Sequence, residues 1–291
     1  MKTKLLASTV TAIGLTLGMT HAIAAPISAD IISIVDESGS MGGEHAWLGS
    51  VMTSLEAGLA AKNVGTGPQA NRYGLTGFGG SSTHFAPHKH AVGGGDFGTA
   101  AQFGTAAGTL VTNGGTEDGW AGIDYALNNY TYNVGAAKNL ILVTDEDRDN
   151  TNAALTYAGM ESAINTAGGI LNAVVNATFR CGNGSSALGL AGGGVGYVAD
   201  GSGGFTTCSG ATAISGFGST IADYVDLAIA TGGAAWDLNF LRAGGNLATS
   251  FTAAFVDIKV QEIITTPEPA TLALLGLGLA GIGASRRRKA A

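Results

Sequence analysis

The chain has 291 residues, enough for one large domain or two small ones, and one is expected. Charged residues make up only 12 % and glycines number 48, yet a hydrophobic share of 45 % excludes a disordered chain and supports a packed core. The formal charge of −7 understates the acidity of the middle, because Lys2, Lys4, Arg286, Arg287, Arg288 and Lys289 sit in the end segments; such a surface repels phosphate backbones, so no nucleic-acid partner is expected.

Residues 1–24 have the layout of a secretory signal peptide. Lys2 and Lys4 precede an apolar run from Leu5 to about Leu17, and Ala22-Ile23-Ala24 forms a small-residue cleavage site that leaves Ala25 first. The run is too short to span a membrane, and the segment ends in small residues and Pro26.

From Asp30 onward, short apolar runs alternate with longer Ala-rich stretches, the pattern of βαβ units and a parallel sheet. The expected fold class is α/β, a doubly wound and mostly parallel sheet with helices on both faces. Ile31–Val35 reads as a buried first strand, Glu44 to about Lys62 as a helix, and Arg72–Phe78 as a second strand. An edge strand or hairpin is expected around Thr83–Val92, then helices near Phe97–Val111 and from Glu117 to Asn129. Asn139–Thr144 is the clearest central strand. A helix at Asn152–Thr166 and a strand at Ile170–Phe179 come next.

The glycine-rich segment from about 181 to 210 is bracketed by Cys181 and Cys208. In an exported chain a disulfide between them is the default, and the segment reads as an insertion tied at its base. Its glycine runs also fit low-complexity disorder. A helix around Ser219–Ala230, a short strand near Ala234–Asp237 and a final helix within Asn246–Ile258 complete a domain expected to span 25–264.

The tail, residues 265–291, begins with a linker. Pro267-Glu268-Pro269 then precedes an apolar segment, Ala270 to Ala284, and the cluster Arg286-Arg287-Arg288-Lys289. As a helix that segment is about 22 Å long, near the range of thin or tilted transmembrane spans. The basic cluster would stay cytoplasmic, leaving the domain outside. These three parts resemble the PEP-CTERM sorting signal of Gram-negative bacteria. The resemblance implies recognition by a membrane processing enzyme of the exosortase type. It also implies an inner-membrane-anchored precursor, attached permanently or for a time, that reaches the cell surface or the extracellular matrix.

Chemistry concentrates at strand ends. The first strand runs into Asp36-Glu37-Ser38-Gly39-Ser40, where a carboxylate and two hydroxyls on a tight loop can aim hard oxygen ligands at one spot. The central strand ends beside Asp145, on the same sheet edge. Thr116, after Gly114-Gly115, stands just before a helix and can add a hydroxyl. A merely structural alternative is that Asp36 and the serines cap the first helix.

Asp36-x-Ser38-x-Ser40, Thr116 and Asp145, in that order, resemble the metal-ion-dependent adhesion site of von Willebrand factor A (VWA) domains, and Thr231-Gly232-Gly233 resembles the turn before that family's last strand. The resemblance implies Mg2+, or Mn2+ or Ca2+, held by Ser38 and Ser40 directly and by Asp36, Thr116 and Asp145 directly or through water. Neutral hydroxyls leave the cation electron-poor and able to accept a partner's carboxylate. Glu37, Glu117, Asp118, Glu146 and Asp147 crowd these loops beyond the family pattern. They are possible additional acidic ligands, or they face solvent.

Among the remaining features, His84, His88 and His90 could form a transition-metal site, but a surface edge with unrelated histidines is the simpler reading. His45 reads as a helix-face residue, and Trp47, Trp120 and Trp236 as packing. The functional expectation is an exported adhesion module that captures a protein or polysaccharide ligand through a divalent cation. The alternative is a structural component of a biofilm matrix whose metal only stabilises the fold. No enzyme is expected, since no catalytic triad elbow, His-Glu-x-x-His or phosphate loop is present in the sequence.

Overall fold

A computed structural model of the protein describes residues 28–265. The expected signal peptide, the Pro267-Glu268-Pro269 motif and the apolar segment 270–284 lie outside the described residues. Among those described, no helix is long and apolar enough to cross a membrane.

The first half runs β1 (Ser28–Asp36), α1 (His45–Ala61), β2 (Arg72–Phe78), β3 (His88–His90), α2 (Ala100–Ala107), α3 (Gly119–Asn129) and β4 (Ala136–Thr144). The second half runs α4 (Tyr157–Thr166), β5 (Gly169–Val175), β6 (Ala177–Arg180), β7 (Ser186–Ala187), β8 (Gly189–Ala191), β9 (Val195–Ala199), β10 (Phe205–Cys208) and β11 (Thr212–Gly216). After a π-helical turn at Ile221–Val225 come α5 (Asp226–Ala230), β12 (Ala234–Asp237), α6 (Leu238–Ala243) and α7 (Gly245–Thr265).

The main sheet has the order β10-β9-β8-β12-β5-β4-β1-β2-β3. Its centre, β12-β5-β4-β1-β2, is parallel throughout, and β3 and β8 to β10 add antiparallel edges. Alternation along β1 explains the layering. Ala29, Ile31 and Val35 face a core shared with Leu48, Phe103 and Phe255, while Ile32 and Ile34 face one shared with Ile123, Met160 and Leu227. A strand buried on both faces reads as a near-continuous apolar run, as β1 and β4 do. The three tryptophans are buried as packing residues; Trp47 meets Phe251 and Phe255 edge-on.

Local chemistry moves several boundaries. Thr99 forms a capping box with Gln102, so α2 starts at Ala100, and Thr156 caps α4, which starts at Tyr157 instead of near Asn152. The expected strand Ile170–Phe179 is two strands. Asn176 breaks it by accepting hydrogen bonds from Phe217 N and Asn239 Nδ2, and β6 leaves to join the small sheet β11-β6-β7. A short helix, α6, stands between β12 and α7 where none is expected, and α7 runs to Thr265, past Ile258.

The glycine-rich segment is ordered. It supplies β8, β9 and β10 to the main sheet, and a Cys181–Cys208 disulfide closes its base. Tyr197 of β9 stacks on Trp236 of β12 at 5.3 Å, which anchors the insertion to the core.

Candidate metal site at the carboxyl edge of the sheet

β1 and β4 are parallel neighbours, with Val35 opposite Val143, so their carboxyl ends emerge side by side. Asp36 sits fully buried at the end of β1. Its Oδ1 accepts from Ser38 N at 2.7 Å and its Oδ2 from Thr144 Oγ1 at 2.8 Å, which fixes the carboxylate at the root of the loop. His45 Nε2 donates to the Asp36 carbonyl at 2.8 Å, so this histidine supports the loop backbone. Ser38 Oγ lies 3.1 Å from Ser40 Oγ, and Ser40 Oγ donates to Asp145 Oδ1 at 2.8 Å. Ser38 is buried and Ser40 exposed, so the chain of oxygens runs from the interior to solvent.

The third loop is stitched to the other two by backbone. Gly39 N donates to Gly114 O at 3.4 Å and Asn113 N to Glu37 O at 2.9 Å. Glu117 N donates to Asp149 Oδ2 and Asp149 N to Glu117 O, each at 2.7 Å. Gly114 has φ +133°, and a Cβ there would stand 2.3 Å from Gly79 O, so no side chain fits. A Cβ on Gly79 would meet Asp36 Oδ1 and Glu117 Cγ at 3.2 Å and Thr116 O at 3.6 Å, which puts these groups around one point. Asp36, Ser38, Ser40 and Asp145 are thus joined by hydrogen bonds, and Thr116 reaches the same rim through its backbone.

The electrostatics call for positive charge. Both carboxylate oxygens of Glu117 are buried without a hydrogen-bond partner among the described residues. Burial, then the charges of Asp36, Glu146 and Asp149, push the Glu117 pKa up to about 8. Burial raises Asp36 to about 6, against hydrogen bonds from Ser38 and Thr144 that favour its charged form. Hard oxygen donors with an unsatisfied buried carboxylate beside them fit Mg2+, Mn2+ or Ca2+.

The extra acids divide by environment. Glu117 faces Asp36, and Glu146 contributes charge to this cluster. Asp118 instead caps α3, accepting from Ala121 N at 3.3 Å, and pairs with Arg148 at 2.8 Å. Asp147 accepts from Ser219 N at 2.9 Å. Glu37 turns its carboxylate to Val111 N at 2.9 Å and to His84, His88 and His90. Asp118, Asp147 and Glu37 are therefore committed elsewhere.

Sequence reasoning missed a cation at this edge. Arg242 of α6 donates to Asp145 Oδ2 at 2.7 Å and pairs with buried Glu44. Its signal was its place just after β12, whose carboxyl end opens on the same edge. Of the two expectations for His84, His88 and His90, a transition-metal site or unrelated histidines on a surface edge, the second does not hold, since all three converge on the Glu37 carboxylate.

A PEP-CTERM protein-sorting motif matches residues 265–289. Comparison with curated proteins finds no match. Solved structures with a similar fold include proximal thread matrix protein 1 from the mussel byssus (18% identity, 53% of this chain, 36% of that one, TM-score 0.38). Others are a von Willebrand factor type A protein from Catenulispora acidiphila (20%, 51%, 33%, TM-score 0.33) and the vWF domain of the type V pili tip protein Mfa5 from Porphyromonas gingivalis (24%, 43%, 40%, TM-score 0.31). The chain thus spans well under two thirds of the length of each.

Proposed function

We propose that the protein is an exported adhesion module that captures a protein or polysaccharide ligand through a divalent cation at the Asp36–Ser40, Thr116 and Asp145 loops. One observation carries this reading: the oxygen chain Ser38, Ser40, Asp145 reaches solvent beside a buried, unpartnered Glu117 carboxylate. Ser38, Ser40 and Asp145 would hold the ion, with Asp36, Thr116 and Glu117 around it. A bound cation with mostly neutral ligands supplies a coordination position for a partner's carboxylate. Binding of this kind needs no bond-breaking step, and an enzymatic role is not part of the proposal.

Export rests on the PEP-CTERM motif at 265–289, which implies a membrane-anchored precursor in a Gram-negative bacterium and processing by an exosortase. A disulfide within the domain suits an oxidising compartment. The alternative of a purely structural matrix component has one observation in its favour: Arg242 occupies Asp145 Oδ2, as a closed site would require. The test is retention of the full chain on alginate-coated and collagen-coated surfaces. Capture on either surface that is lost in EDTA and in Asp36→Ala, with the variant still folded, supports adhesion; capture unchanged by EDTA overturns it.

A further inference from the structure

We infer that Glu37, His84, His88 and His90 form a second metal site, of tetrahedral geometry and suited to zinc, separate from the oxygen-rich site at Ser38 and Ser40. Four ligand atoms, one from each residue, lie within 4.8 Å of one another. His84 Nδ1 is 3.1 Å from both Glu37 carboxylate oxygens, His88 Nε2 is 3.2 Å from Oε2, and His90 Nε2 is 3.2 Å from Oε1. A tetrahedron with metal–ligand bonds of about 2.0 Å has edges of about 3.3 Å. The nitrogens therefore stand from the carboxylate at the separation of neighbouring ligands on one ion.

Tautomers fixed by neighbours strengthen the assignment. His88 Nδ1 lies 2.9 Å from the Ala86 carbonyl, which can only accept, so that nitrogen carries the proton. His90 Nδ1 lies 2.8 Å from Thr109 Oγ1, whose own hydrogen goes to Ala106 O at 2.7 Å, so it too is the protonated nitrogen. In the neutral ring each Nε2 then presents a lone pair toward a carboxylate. Both Nε2 atoms are buried, and the polar group each faces is the Glu37 carboxylate at 3.2 Å. A cation between lone pairs and carboxylate satisfies all of them, with the carbonyl and hydroxyl holding the rings in place from behind.

The fold has made room for this arrangement. His88 and His90, two apart on β3, share one face, while Lys89 on the other pairs with Asp96 at 2.6 Å. Across the ladder from His88 is Gly77, where a Cβ would stand 2.2 Å from Glu37 Oε2 and 2.8 Å from His90 Nε2. Glu37 is fully buried, whereas His84 and His88 are 28 % and 25 % exposed, which leaves the ion an entry path from their side. Four protein ligands close the shell, so the ion ties the three-residue edge strand β3 and the loop before it to the end of β1.

The test uses the full chain, stripped with EDTA and titrated with Co2+, whose tetrahedral complexes absorb visible light far more strongly than octahedral ones. One equivalent should give an intense tetrahedral spectrum that one equivalent of Zn2+ bleaches. His88→Ala and, as a milder change, His90→Gln should weaken binding by more than about 100-fold, since even residues behind a ligand are worth 10- to 100-fold. Asp145→Ala should leave the spectrum intact, which separates this site from the proposed adhesion site. Only a pale octahedral spectrum from the wild-type chain, or an unchanged titration in both histidine variants, overturns the assignment.

Discussion

Ser40 Oγ donates a 2.8 Å hydrogen bond to Asp145 Oδ1 and so joins two loops 105 residues apart in sequence. The bond holds an exposed hydroxyl beside a carboxylate at the sheet edge, in the arrangement that a shared cation requires. Ser40→Ala should leave the fold intact, because the side chain is exposed, and should raise the Kd for Mn2+ roughly tenfold, about 1.4 kcal/mol. Isothermal titration of Mn2+ into both chains measures this; equal affinities would remove Ser40 from the site.

Arg242 competes with the cation for Asp145. Arg242→Met frees Oδ2 and makes the local potential more negative, so Ca2+ affinity should rise roughly two- to fivefold, the equivalent of about 0.4–1 kcal/mol. The same change strands the buried Glu44 carboxylate, so the metal-free variant should melt lower than the wild type. Weaker Ca2+ binding in the variant would mean that Arg242 organises the site instead of guarding it.

The pH dependence has a definite sign. Glu117 is raised from 4.5 to about 8 and Asp36 from 3.8 to about 6, so between these values the folded, metal-free chain keeps protons that the unfolded chain has released. Stability from these groups is present at low pH and falls as pH rises through that window. A divalent cation replaces the protons. The rise in Tm on adding Mg2+ should therefore be small at pH 5 and larger at pH 8, with each kcal/mol worth roughly 2–4 °C. Equal rises at both pH values would count against a cation beside Glu117.

The disulfide makes a separate stability prediction. A loop of 27 residues closed by Cys181 and Cys208 is worth about 3.5 kcal/mol in the chain-entropy model. The double variant Cys181→Ser, Cys208→Ser should lower Tm by roughly 7–14 °C. Mn2+ affinity should not change, because the insertion packs on β12, on the far side of β5 and β4 from β1. Loss of Mn2+ binding in a folded double variant would tie the insertion to the site.

Features with a short-range cause were legible in the sequence. β1 and β4 are near-continuous apolar runs, and their carboxyl ends in a parallel sheet point Asp36 and Asp145 to one edge. Hydrogen bonds between distant segments were not legible. The break at Asn176 depends on Phe217 and Asn239, and the placement of Arg242 depends on α6 turning back over the sheet edge after β12 to meet Glu44 and Asp145. The destination of Glu37 was hidden for the same reason. The pleat of β3, the glycine at 77 and the loop carrying His84 turn it toward histidines 47 to 53 residues away, while its sequence neighbour Asp36 faces the other cluster.

The most direct measurement is anomalous diffraction from crystals of the protein soaked in Mn2+. A peak in contact with Ser38 Oγ, Ser40 Oγ and Asp145, with at least one coordination position taken by water, is the predicted result. No peak at that place, or an ion there whose shell is filled entirely by protein atoms, would contradict capture of a ligand through the metal.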